Sequence, residues 1–211
     1  MAHALAETST AAGSTSSTST SFLETEAPKL RSFSELSLHP SLTRSLAALA
    51  ISVPTPIQAL TIPHILRGRD VIGGARTGSG KTLAFALPIL HQLTRDMVSG
   101  FAVILTPTRE LGVQLHEQFV AVAAGAASGS GLAGLRCALV LGGMDMQAQA
   151  NELARGLPHI IVATPGRLCD LLRSEGGGAY GLQRCRFVVS SMRLSALCIV
   201  ADSAPFSMTG A

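Results

Sequence analysis

"GGARTGSGKT", residues 73–82, decides how this chain folds. It follows "RDVIGGA" at 69–75, which reads as a strand, and opens "GKTLAFALPILHQL" at 80–93, which reads as a largely buried helix. Strand, glycine-rich turn and helix in that order build a cradle for phosphate groups. Gly78 and Gly80 let the backbone curl so that successive N–H groups point into one concavity. The helix behind them adds its positive N-terminal end. Within Ala75, Arg76, Thr77, Gly78, Ser79, Gly80, Lys81 and Thr82, the lysine supplies a mobile charge for the outer phosphates. The Thr82 hydroxyl suits a Mg²⁺ shell. Ala75 stands where the generic pattern has its first glycine. The alternative, a glycine turn beside a surface lysine, has no need of the flanking strand and helix.

Working outward, the same alternation continues. "HPSLTRSLAALA" and "TPIQALTIPHILRG" read as helices, with Pro40 near the start of the first and Thr55 at the N-cap of the second. "FAVILT" at 101–106 is a continuous apolar run, as a strand covered on both faces requires. "RELGVQLHEQFVAVAA" follows as helix, then a Gly/Ser-rich loop at 125–134 and "RCALVLGG" as strand. "MDMQAQANELARG" is helix, "HIIVAT" strand and "GRLCDLLRS" helix; after "EGGGAYG" a short strand is expected at 186–189. Repeated strand–helix alternation predicts an α/β fold, a P-loop parallel sheet with helices on both faces. We expect that sheet to be incomplete at its C-terminal end.

Composition narrows the class. The 211 residues are 47% hydrophobic and 14% charged, which allows one sizeable domain with a real core. No apolar run approaches the ~18 residues of a membrane span, so no membrane partner is expected. A net charge of +3 permits nucleic-acid contact without arguing for it. Cys137, Cys169, Cys185 and Cys198 show no CxxC pairing and read as small buried thiols rather than a zinc or disulfide framework. Residues 1–30, with "TSTAAGSTSSTSTS", read as a disordered tail. Glu7, Glu24 and Glu26, with no Lys or Arg before Lys29, argue against a transit peptide.

Upstream of the phosphate loop, Gln58 in "ISVPTPIQ" carries an amide that both donates and accepts, matching the adenine N6/N7 edge. Phe33, "PTPIQ", "ARTGSGKT", "PTRELG" at 107–112, Gly142–Gly143 and "TPGR" at 164–167 occur in one order. Over about residues 31–189 this series resembles the first RecA-like domain of the DEAD-box ATP-dependent RNA helicases. The resemblance implies ATP with Mg²⁺ as cofactors, Phe33 stacking on adenine and Gln58 reading its edge. It also implies that Pro107, Thr108, Arg109, Gly142, Gly143, Thr164, Pro165, Gly166 and Arg167 line a path for the RNA backbone. Hydroxyls, N–H groups and guanidinium groups at strand ends suit sequence-independent phosphate contacts that weaken with salt. "VLGGMDM" and "PHIIVATPGRL" are most similar to the branch acting in nucleolar ribosome assembly. This implies ribosome-assembly partners and a nuclear or nucleolar location, with the cytoplasm as alternative.

The chain departs from that family after "RFVV". An apolar residue and then Asp-Glu-Ala-Asp is the family pattern; Ser190-Ser191-Met192-Arg193-Leu194 stands here. The expectation is a helicase N-terminal half, truncated before the acidic motif, that binds ATP and RNA without hydrolysing ATP or unwinding RNA. Residues 190–211 are expected to be an atypical tail. Two readings of it stay open. Ala196–Ala201 fills the slot between the phosphate-loop strand and the strand at 187–189, or the tail is an arbitrary shifted-frame extension. Asp202 at the end of "LCIVAD" only loosely mimics a metal-binding strand end. Rival functions are an RNA- or partner-sequestering regulator, an unstable helicase fragment, and a P-loop enzyme of another kind such as a small kinase.

Overall fold

The computed structural model describes residues 28–174, 180, 182–193 and 196–201. Residues 1–27 of the expected tail, nearly all of the "EGGGAYG" loop and Asp202 lie outside them. In chain order the helices are α1 (Pro40–Ala48), α2 (Pro56–Leu66), α3 (Lys81–Leu93), α4 (Arg109–Ala126), α5 (Met146–Gly156) and α6 (Pro165–Arg173). The strands are β1 (Val71–Gly74), β2 (Ala102–Leu105), β3 (Cys137–Val140), β4 (Ile160–Ala163), β5 (Phe187–Arg193) and β6 (Ala196–Ala201).

They form one sheet in the order β1-β6-β5-β2-β4-β3. β2 pairs in parallel with β4 and β5, and β4 with β3. Alternation along these strands feeds two cores. Ala102, Ile104, Ile160, Val162, Phe187 and Val189 join the cluster built with α1 to α4, where Phe85 and Phe119 meet at a ring distance of 6.0 Å. Val103, Ile161 and Ala163 point the other way, onto Leu153 of α5 and Leu168 and Leu171 of α6. Helices therefore cover both faces, and strands buried on both sides read as unbroken apolar runs.

Helix starts follow their local chemistry. Pro40 opens α1 behind the His39 cap, Thr108 accepts from the Leu111 N–H ahead of α4, and Asp145 accepts from Gln147 and Ala148 N–H ahead of α5. Strand β5 runs on through Arg193, past the expected end at 189. The expected gap is filled: β6 lies between β1 and β5, with Ile199 opposite Val71 on one side and Val189 on the other. It runs antiparallel to both neighbours. A link of two residues after Arg193 leaves room for a hairpin but not for the crossover that a parallel strand needs.

The expectation of four buried thiols needs correction. Cys185 is buried and Cys137 partly so, but Cys169 is exposed, because Leu168 and Leu171 turn the other side of α6 toward the sheet. Burial pushes the Cys137 thiol up to about 12 and raises that of Cys185, so neither forms a thiolate near neutral pH. No helix among the described residues is long and apolar enough to cross a membrane.

Candidate nucleotide and nucleic-acid sites

The turn from β1 into α3 has the shape its glycines require. Gly78 and Gly80 sit at φ 78° and 85°, a region where a side chain is strained. Around Gly80 there is also no space. A Cβ there would overlap the Gln58 amide nitrogen and lie 3.1 Å from the Thr55 hydroxyl.

Gln58 is 1% exposed and ties α2 to this turn. Its Oε1 accepts from the Thr55 N–H at 2.9 Å, and its Nε2 donates to the Gly80 carbonyl at 3.0 Å. One lone pair and one N–H of the amide remain unused by these two bonds, but the side chain is buried and is not among those lining the cavity against this turn. The Lys81 ammonium folds back on the loop, donating to the carbonyls of Ala75 and Arg76, the latter at 2.8 Å. Burial lowers its pKa. Of its three donors one is left over for an incoming oxygen anion. The hydroxyls of Thr55 and Ser79 are buried without a partner, and the first N–H groups of α3 have no intrahelical acceptor. Orphaned donors around a glycine cradle are what a polyphosphate satisfies, so the residues present fit ATP.

A cavity of about 400 Å³ opens against this turn. Thr77, Gly78, Gly80, Lys81 and Thr82 form one wall; Pro107, Leu111, Gln114 and Gln118 approach from the β2–α4 side, and Ser191 from β5. Ser191 holds the first acidic position of the family pattern, so a neutral hydroxyl faces the phosphate turn. Magnesium fits this set poorly. The ion demands near-octahedral oxygen coordination and is usually held through carboxylates as well as phosphates. The cavity's described lining offers the Thr77, Thr82 and Ser191 hydroxyls and the Gln114 and Gln118 amides, with no acid. Among the described residues no cluster of three His, Cys, Asp or Glu could hold a metal.

The second concavity, about 450 Å³, lies beyond the C-terminal ends of β2, β3 and β4 and is lined by Pro107, Thr108, Arg109, Glu110, Gly142 and Thr164. Residues far apart in sequence thus converge at the edge where open α/β sheets bind ligands. Thr164 Oγ1 accepts from the Gly142 N–H at 3.2 Å. Gly143, at φ 79°, lies flat under the Arg109 guanidinium, which any Cβ would overlap. Arg167 does not line this groove but braces its rim, donating to the Met144 carbonyl at 2.7 Å and to Gln149 Oε1 at 3.1 Å. Gln149 in turn donates to the Leu141 carbonyl at 3.0 Å. Pro165 and Gly166 form the first turn of α6, outside the groove's lining.

Phe33 is not at either site. Its ring is 3% exposed and packs in the main core, with Leu36 one turn on, so this arrangement presents no free face to a base. Residues the sequence reading passed over are Gln114, Gln118, Gln149 and Glu110. The first two stand four apart on α4, a spacing that places them on one helix face. Glu110 keeps its carboxyl below the usual range through its own backbone N–H and the Thr108 side chain.

Comparison with known proteins identifies the family. Residues 55–190 match the family model described as DEAD/DEAH box helicase. The chain is 68% identical over 162 residues to the ATP-dependent RNA helicase DBP8 of Mycosarcoma maydis, covering 77% of this chain and 30% of that protein. Against the dbp8 helicase of Schizosaccharomyces pombe identity is 51% over 160 residues, 75% of this chain and 34% of the relative. The chain thus spans about a third of the length of these relatives. Among solved structures, the yeast DEAD-box splicing factor Prp28 superposes with a TM-score of 0.65 at 29% identity, over 79% of this chain and 39% of Prp28. Mss116p bound to single-stranded RNA and AMP-PNP gives 0.63 at 29% identity, over 75% of this chain and 31% of that one.

Proposed function

Since the chain belongs to the DEAD/DEAH box helicase family and corresponds to the N-terminal RecA-like domain of a DEAD-box RNA helicase, we propose that it binds ATP on Ala75–Thr82 and the RNA backbone in the groove lined by Pro107, Thr108, Arg109, Gly142 and Thr164, with Gly143 and Arg167 shaping its rim. The domain runs in this reading from residue 31 through the β5–β6 hairpin, with residues 1–30 as a tail. The observation that carries it is the glycine turn between β1 and α3, with the Lys81 ammonium and unpartnered hydroxyls around it.

Each group has a defined task. First-turn N–H groups of α3 and the spare Lys81 donor hold phosphate oxygens. Gln58 fixes the turn through two bonds and keeps one lone pair and one N–H for a base that reaches past its present burial. Thr108 and Arg109 meet sugar-phosphate oxygens beside the Gly142–Gly143 turn, whose Gly142 N–H is held by Thr164 Oγ1, positioning RNA without reading sequence.

The same site binds ATP without breaking it. Phosphoryl transfer depends on charge neutralisation and on a group that orients the attacking water. Losing the residue that acts on water alone costs on the order of 10²–10⁴ in rate. Residues 190–194 carry hydroxyls, a thioether and a guanidinium where that chemistry needs carboxylates. The resemblance of "VLGGMDM" and "PHIIVATPGRL" extends the reading to ribosome-assembly partners in the nucleolus; diffuse cytoplasmic signal from a tagged chain argues against that extension.

Nucleotide titration tests the core of the reading. ATP should outcompete GTP, and Gln58→Ala should erase the preference. Product formation in the presence of RNA should stay at the level of a protein-free blank. Sustained turnover by the wild-type chain contradicts the catalytic part.

A further inference from the structure

The charge balance of the nucleotide cavity deepens the ATP-binding reading and rests on it. On the described walls Lys81 is the one charged side chain, standing at the positive end of α3. Opposite it, where a carboxylate would balance a metal ion, is the hydroxyl of Ser191; the α4 side offers Gln114 and Gln118, neutral amides, above Leu111 and Leu115. We propose that this cavity takes the nucleotide as its metal-free polyphosphate, and that magnesium competes with the protein for ATP instead of assisting its binding.

The physical reason is charge matching. The metal-free nucleotide carries more negative charge than its magnesium complex and so gains more from an ammonium group and a helix N-terminus. A magnesium ion on the outer phosphates would sit beside the Lys81 ammonium, with only hydroxyl and amide oxygens to replace the waters it gives up reluctantly. Hydroxyls can fill coordination positions, but they supply none of the negative charge that offsets two neighbouring cations. The preference therefore belongs to one wall of the cavity, and a single side chain should reverse it.

Isothermal titration of the whole chain with ATP, in EDTA and in saturating magnesium at equal ionic strength, tests this. The wild-type Kd should be as low or lower in EDTA. Ser191→Asp should bind about tenfold more tightly with magnesium than without, the size of one added charge-assisted contact. Ser191→Asn, the size of aspartate but neutral, should show no gain on adding magnesium whatever its affinity in EDTA. Wild-type affinity that rises tenfold on adding magnesium overturns the proposal, even should Ser191→Asp fail to fold. A well-folded Ser191→Asp that ignores magnesium overturns it too, as does a magnesium requirement in Ser191→Asn. A cooperatively melting chain that binds ATP in neither medium removes the ATP-binding reading itself, and this inference with it.

Discussion

Replacing Gly80 by alanine should damage the chain more than the same change at Gly78, two residues away. Both glycines lie in the left-handed region, at φ 85° and 78°, so each substitution carries backbone strain of about 1–2 kcal/mol. At Gly78 a new Cβ meets nothing within 4 Å, and the strain is the whole effect. At Gly80 the Cβ would overlap Gln58 Nε2 and crowd the Thr55 hydroxyl at 3.1 Å. Relieving that overlap means giving up the 3.0 Å bond from Gln58 to the Gly80 carbonyl. An amide left unpaired when buried costs a further ~1–3 kcal/mol. With ~2–4 °C of melting temperature per kcal/mol at this size, Gly78→Ala should lower Tm by roughly 5 °C and Gly80→Ala by roughly 10 °C. Scanning calorimetry of both, and of each combined with Gln58→Ala, separates the contributions. In the Gln58→Ala background the gap between the two alanine variants should shrink to what the Thr55 crowding alone costs. Equal effects in the wild-type background, or a Gly80→Ala deficit undiminished by removal of the glutamine, would refute the contact argument.

Other outcomes follow from single contacts. Arg167→Ala leaves the Met144 carbonyl and Gln149 without their charged donor, at about 1.5–3 kcal/mol for a bond of that type. Single-stranded RNA affinity should fall tenfold or more, and amides at 141–146 should exchange faster; unchanged exchange means the brace is not needed. His91 and His159 accept backbone N–H groups of His39 and Arg136 at Nδ1 and carry lowered pKa values, with burial the main cause. A depressed histidine contributes fully above its unfolded value of 6.5 and is lost as pH falls below it. Tm should therefore decline on acidification below that pH, and His159→Asn, which keeps a neutral acceptor, should flatten part of the slope. Deleting residues 195–211 removes β6 and bares backbone groups of both β1 and β5, so the melting point should drop further than in Gly80→Ala. An undiminished Tm argues that β6 carries no stability.

What was legible in the sequence tracks how local the cause is. The phosphate turn, the start of α2 just after Thr55 and the both-faces burial of β2 follow from neighbours a few residues apart. The convergence of Pro107–Arg109, Gly142 and Thr164 came from their ordered series and is borne by strand ends lying side by side. The course of β5 beyond Val189 was hidden because Ser190 and Ser191 look like a strand's end; pairing with β2 and β6 extends it. An apolar run has no direction, so only the short link after Arg193 makes β6 antiparallel. Phe33 illustrates the opposite limit. The family resemblance implied that its ring stacks on adenine, whereas the structure packs the ring in the main core, because local sequence cannot say which apolar side chains the core takes first.

Binding of ATP to the unmodified 211-residue chain, compared with Lys81→Ala under identical calorimetric conditions, reaches the central claim with the fewest steps. A saturable one-to-one isotherm, displaced by tripolyphosphate and abolished by Lys81→Ala in a chain that still melts cooperatively, is the predicted result. An isotherm that survives Lys81→Ala undiminished would contradict the account.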